Sequence, residues 1–167
     1  MPRDSGKKNL RPQSDGAVLS PDDANVKRIL VPIDFSDFSK NALAYAVSIA
    51  RRFEAELVLL YVVEPAVYPA DLGFGQVSLP NIEKELAERG KTGLGQLAKQ
   101  AVAGHANVRT IVRTGKPFQE ILATAEEAGI DLIVIATHGH TGVEHLIFGG
   151  TAEKVVKRAH CPVLIVR

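Results

Sequence analysis

The sequence predicts an α/β fold: a doubly wound, Rossmann-like domain on a five-stranded, mainly parallel sheet. Three observations predict it. Short apolar runs alternate with amphipathic segments from Arg28 onward. A run such as Leu57-Val-Leu-Leu-Tyr-Val-Val63 is apolar throughout, as expected of a strand with helices on both sheet faces. Helical segments separate the strand candidates, which is the pattern of parallel strands joined by crossovers.

Each element follows from its own local signal. Ile29-Leu-Val-Pro-Ile33 is the first strand candidate. Residues 39–53 form a helix, with Leu43, Val47 and Ala50 on one stripe and Ala42, Ala46, Ile49 and Phe53 beside it. Residues 57–63 are the second strand, and 64–78 a connection carrying proline and glycine. Residues 80–101 read as a helix that Gly90, Gly93 and Gly95 each weaken. Val108–Arg113 is the third strand. Gly115-Lys-Pro117 then turns the chain into a helix over 118–128, closed by Gly129. Asp131–Ala136 is the fourth strand, 151–159 a short helix, and Val163–Val166 the fifth strand.

The 167 residues fit one domain, expected over 26–167. Residues 1–25, rich in Pro, Asp, Ser and Gly, read as a flexible extension. The chain is 46% apolar and 23% charged, with 20 basic against 19 acidic residues. That balance gives no electrostatic reason to expect nucleic acid as a partner. No window approaches the ~18 apolar residues of a membrane span, and no apolar run follows the first basic residues as in a signal peptide. The lone Cys161 excludes an internal disulfide framework and fits a reducing compartment, so the expected location is cytoplasmic.

Doubly wound sheets bind ligands outside the carboxyl ends of their strands, where the strand order reverses. The residues there are Pro32-Ile-Asp34-Phe-Ser36, Tyr61-Val-Val63, and the loop Ala-Thr-His-Gly-His-Thr-Gly at 136–142 with Gly149-Gly150-Thr151 behind it. Gly139 and Gly142 permit left-handed backbone and close approach, and amides near Gly149, Gly150 and Thr151 open the last helix toward an anion. An exposed helix terminus favours an anion by only about 0.3–1 kcal/mol, so several amides must converge. The competing reading is a glycine-rich turn that caps strand and helix without a ligand. Asp34 likewise serves a ligand or, in the simpler reading, caps a helix or holds a turn in competition with Ser36, Asp37 and Ser39.

No P-loop pattern is present, and the loop after the first strand lacks the dinucleotide fingerprint. His138, His140 and His145 cluster in sequence, but without cysteines at zinc spacing, so no protein-ligated metal is expected. Cys161 lacks a paired base and reads as a packed thiol. Lys116, Lys154 and Arg158 supply positive charge, yet nothing amounts to a phosphoryl-transfer apparatus.

The stretch ATHGHTGVEHLIFGGTAEKVVKRAHCPVLIVR, with VPIDFSDFSKNAL at 31–43 and LVLLYVV at 57–63, resembles the nucleotide-binding branch of the universal stress protein family. That branch carries Gly, two residues, Gly, nine residues, Gly, then Ser or Thr. The resemblance implies ATP as ligand, with magnesium or manganese carried by the phosphates. It places Asp34 and the Val62 backbone around the adenosine, and His138 and Gly139 beside ribose and phosphates. Gly149, Gly150 and Thr151 then surround the phosphate tail, and Pro32, Ala136 and Gly142 complete the set. Two positions depart from the pattern: Ala136 replaces the first glycine and Gly150 the hydroxyl residue. A lost hydrogen bond to a charged group is worth about 1.5–3 kcal/mol.

The resemblance further implies a homodimer through residues 163–166, acting as a regulatory or sensor module in stress response, with a possible protein partner. The alternatives are a nucleotide-independent interaction module and a slow ATPase or autophosphorylating protein.

Overall fold

The computed structural model describes residues 25–65, 80–101, 107–137 and 150–167. These form strands β1 (Arg28–Pro32), β2 (Glu56–Val63), β3 (Val108–Thr114), β4 (Leu132–Ala136) and β5 (Val163–Val166). The helices are α1 (Asp37–Phe53), α2 (Pro80–Ala101), α3 (Pro117–Glu127) and α4 (Gly150–Arg158). The strands pair in parallel in the order β3-β2-β1-β4-β5. The chain winds outward from β1 to β3, then crosses back to β4 beside β1, so the order reverses between β1 and β4. The expected fold class is thereby met.

Strand alternation sorts the apolar residues into two layers. Ile29, Val31, Leu57, Leu59 and Val134 face one side, where they pack with Ala42, Ala46 and Ala50 of α1 and Leu94 of α2. The α1 alanines carry no bulk beyond Cβ, so this helix lies close to the sheet. Leu30, Val58, Leu60, Ile133 and Ile135 face the other side against Ile121 and Ala125 of α3 and Ala152 and Val155 of α4. Most of these side chains are wholly buried, each worth roughly 1.5–3 kcal/mol when large and apolar.

Helix ends follow the expected chemistry. Pro117 opens α3, where its missing N–H costs nothing. At the other end Gly129 adopts φ 59, Gly129 N donates to Glu126 O and Ile130 N to Ala125 O. That is a Schellman closure, as the glycine predicted. Residues 1–24 and most of the 64–78 connection lie outside the described residues. Among the described residues, no helix is long and apolar enough to cross a membrane.

A candidate ligand site at the switch point

Pro32 explains how the sheet opens where its order reverses. Ile33 N donates to Leu60 O of β2 at 2.8 Å, and Arg28 O accepts from Asp131 N on the β4 side at 3.0 Å. Odd-numbered amides of β1 therefore face β2 and even-numbered ones face β4, because successive peptide groups point to opposite neighbours. Pro32 has no N–H, and the missing donor falls on the β4 side. Pairing with β2 continues to Pro32↔Leu60, whereas the recorded β1–β4 register stops at Leu30↔Ile133. β4 still runs on to Ala136, pairing there with Val166 of β5. Proline thus ends the ladder at the crevice where a doubly wound sheet takes its ligand.

Next to this crevice the chain makes a tight acidic turn. Asp34 Oδ1 accepts from Ser36 N at 3.0 Å and from Ser36 Oγ at 2.6 Å. Ser36 is the N-cap of α1: its Oγ accepts from Ser39 N at 3.2 Å, and Ser39 Oγ donates to Ser36 O at 3.0 Å. The competition among these side chains is settled as a relay, with Asp34 holding Ser36 and Ser36 capping the helix. Asp34's carboxylate is therefore oriented by the turn.

Phe35, between them, adopts φ 67. For a bulky residue that conformation is an outlier, costing of order 1–3 kcal/mol that its surroundings must offset. Its ring packs on Tyr61 of β2, with centroids 5.0 Å apart and planes at 44°. Both rings meet the glycines of α2. A Cβ at Gly93 would lie 2.7 Å from two ring atoms of Phe35, and one at Gly90 would overlap the Tyr61 ring. These two glycines, read in sequence as weaknesses of the helix, are where it lies against the aromatic pair. Gly95, by contrast, has nothing within 4 Å of such a Cβ among the described residues.

The remaining described candidates stand around the same sheet end. Val62 is half-buried on the α3–α4 side and pairs in register with Arg113 of β3. Ala136 keeps ordinary strand angles, and its methyl group packs into the opposite layer with α1. The extra carbon at this position is taken up by the core. Gly150 is the first residue of α4, and a Cβ there would have nothing within 4 Å among the described residues. Thr151 follows in the first turn, half-buried. The helix start carries Glu153, which Lys157 draws back at 2.6 Å. That hydrogen bond and the Lys157 charge hold the Glu153 carboxyl below the usual carboxylate range.

Two cations of the sequence reading find an unexpected seat. Lys154 Nζ lies 4.9 Å and the Arg158 guanidinium 5.5 Å from the centre of the Phe118 ring. They tie α4 to the start of α3, each contact worth about 0.5–1 kcal/mol at an exposed site. Spacing alone gave no sign of the aromatic partner. His138, Gly139, Gly142 and Gly149, with His140 and His145, lie outside the described residues. Cys161 is half-buried against the α3–α4 layer, and burial followed by the Asp131 charge pushes its thiol up. No group of three or more metal-binding side chains occurs among the described residues.

Fold and geometry together define a doubly wound α/β domain whose candidate site lies at its topological switch point. The sequence profile of the universal stress protein family matches residues 25–167. The chain is 38% identical over 141 residues to universal stress protein MJ0531 of Methanocaldococcus jannaschii, covering 84% of this chain and 82% of that protein. It is 36% identical over 145 residues to universal stress protein YxiE of Bacillus subtilis, with 84% and 98% covered. The solved structure of universal stress protein UspA from Lactobacillus plantarum matches with a TM-score of 0.75 at 30% identity, covering 86% of this chain and 99% of that one. The chain belongs to the universal stress protein family. Membership supports a stress-related regulatory role.

Proposed function

We propose that this protein is an ATP-binding, homodimeric regulatory module of the cytoplasm, belonging to the nucleotide-binding branch of its family. The observation that carries the reading is the convergence at one sheet end of the Pro32 crevice, the Asp34 turn and the start of α4. Asp34 and Val62 would hold the adenosine, and the amides of Gly150 and Thr151 the phosphates. The residues fit such a ligand: the Ala136 methyl group is absorbed by the core, and no described residue comes within 4 Å of a Cβ at Gly150. Magnesium arriving with the phosphates would neutralise part of their charge while remaining largely hydrated. Occupancy would favour one arrangement of loop and dimer, and so bias binding to a protein partner.

Calorimetry with magnesium–ATP tests this. Wild-type protein is expected to bind, and Asp34→Ala to bind about tenfold more weakly, a loss of ~1.4 kcal/mol. Absence of both heat and thermal shift at millimolar ATP overturns the reading. A nucleotide-independent dimeric interaction module is the second reading, favoured by the missing hydroxyl at Gly150 and the uncharged edge strand β5. Slow ATP hydrolysis or autophosphorylation is the third, and persistent γ-phosphate labelling abolished by changing Ser36, Ser39 or Thr151 would select it. A monomeric mass by light scattering at micromolar concentration would overturn the dimer.

A further inference from the structure

Glycine or asparagine would meet the backbone demand at position 35 with little strain, because φ 67 lies in the region that bulky residues avoid. A phenylalanine there makes sense only if its ring is needed. The ring reaches across to Tyr61 on β2 and to Gly93 on α2, so one side chain ties the turn after β1 to two other elements. Tyr61 is fixed in turn by Gly90, one helical turn before Gly93 on the same face of α2. The residue under tension is flanked by Asp34 and Ser36, whose mutual hydrogen bonds orient the Asp34 carboxylate.

We propose, resting on the nucleotide reading above, that Phe35 is a positioning residue for Asp34. The glycine face of α2 holds its ring on Tyr61, and that grip keeps the Asp34–Ser36 turn in the left-handed conformation adenosine binding requires. The position of α2 is then read directly in the affinity for the adenosine part of the ligand.

Two variants loosen the grip by different routes. Phe35→Leu removes the ring. Gly93→Ala leaves it in place but pushes on it, while improving the intrinsic helix propensity of α2. Each is made in the full chain, alone and together with Asp34→Ala, and titrated with magnesium–ATP and with adenosine. Both are expected to weaken binding of both ligands about tenfold in the presence of Asp34, and to change nothing further once Asp34 is alanine. Phe35→Tyr, which keeps the ring, is expected to bind as wild type. Should Phe35→Leu fail to fold, Gly93→Ala carries the test. Wild-type affinity in Gly93→Ala, or a loss that persists undiminished in the Asp34→Ala background, overturns the positioning role while leaving nucleotide binding intact. A wild-type protein that binds neither ligand overturns the nucleotide reading and this role with it.

Discussion

The two ends of the sheet are built on opposite plans. At the amino end the chain closes on itself. Asp131 Oδ2 accepts from the backbone N–H of both Lys27 and Arg28 at 2.9 Å, and Arg28 Nη1 donates to Ala128 O at 2.6 Å. Glu56 completes this cluster, with Arg109 Nε at 3.1 Å and Arg28 Nε at 3.8 Å. Donors and acceptors there are matched within the chain, and the loops into β1 and β4 are pinned to one another. At the carboxyl end the ladder between the same two strands stops early at a proline, and a phenylalanine is held in a strained conformation beside an aspartate. Matched donors and acceptors gather at one end, and a shortened ladder with a strained turn at the other, the division expected when a fold carries a site without being built around it.

The largest expected effect falls on the closed end. Asp131→Ala removes the carboxylate oxygen that two exposed backbone donors now share. Hydrogen bonds to a charged acceptor are worth about 1.5–3 kcal/mol each in favourable settings, and part of this one is solvated, so a total loss of roughly 2–3 kcal/mol is expected. Urea denaturation reads it as a lower midpoint at unchanged slope. Asp131→Asn keeps an oxygen acceptor and should recover part of the loss. ATP affinity of the folded Asp131→Ala protein should stay at the wild-type value. A parallel fall in affinity would mean that the two ends are not separable.

The next effect falls on the open end. Gly150→Ser places a hydroxyl at the first residue of α4, where a Cβ meets nothing within 4 Å among the described residues. One added hydrogen bond to a phosphate should tighten ATP about tenfold, with little change in unfolding free energy. Unchanged affinity would place the phosphates elsewhere than beside residue 150.

Much of the fold was legible in the sequence because apolar periodicity reports burial, and burial here is local. β5 falls on the predicted residues, and β1, β3 and α3 within a residue of theirs. Ser36 was a plausible cap and is one. What could not be read is which residues meet across the sheet. The direction of Pro32's missing donor matters only once β4 is known to be its neighbour. The Asp131 clasp joins residues more than a hundred positions apart. Gly90 and Gly93 read as helix breakers because propensity scales score a residue without its surroundings. Their worth lies in what they leave room for, and nothing local to α2 announces Tyr61 or Phe35. The candidate loop positions stand out in the sequence, while the strained backbone at Phe35 beside them has no local signal.

The smallest effect sharpens the comparison within a single helix. Gly95 and Gly93 stand two residues apart in α2, and alanine at either position should gain about 0.5–1 kcal/mol of backbone entropy and propensity. At Gly95 no described residue opposes the new methyl group, so Gly95→Ala should raise stability by that amount and leave ATP affinity alone. At Gly93 the same methyl group meets the far end of the Phe35 ring at 2.7 Å, and the ring must yield. The difference in unfolding free energy between the two variants therefore measures how firmly the aromatic pair is seated, since helix propensity cancels between them. A rigid seat shows as a Gly93→Ala protein well below Gly95→Ala in stability. Equal stabilities would mean that the ring swings aside freely, and a ring that swings freely cannot hold a strained turn beside Asp34.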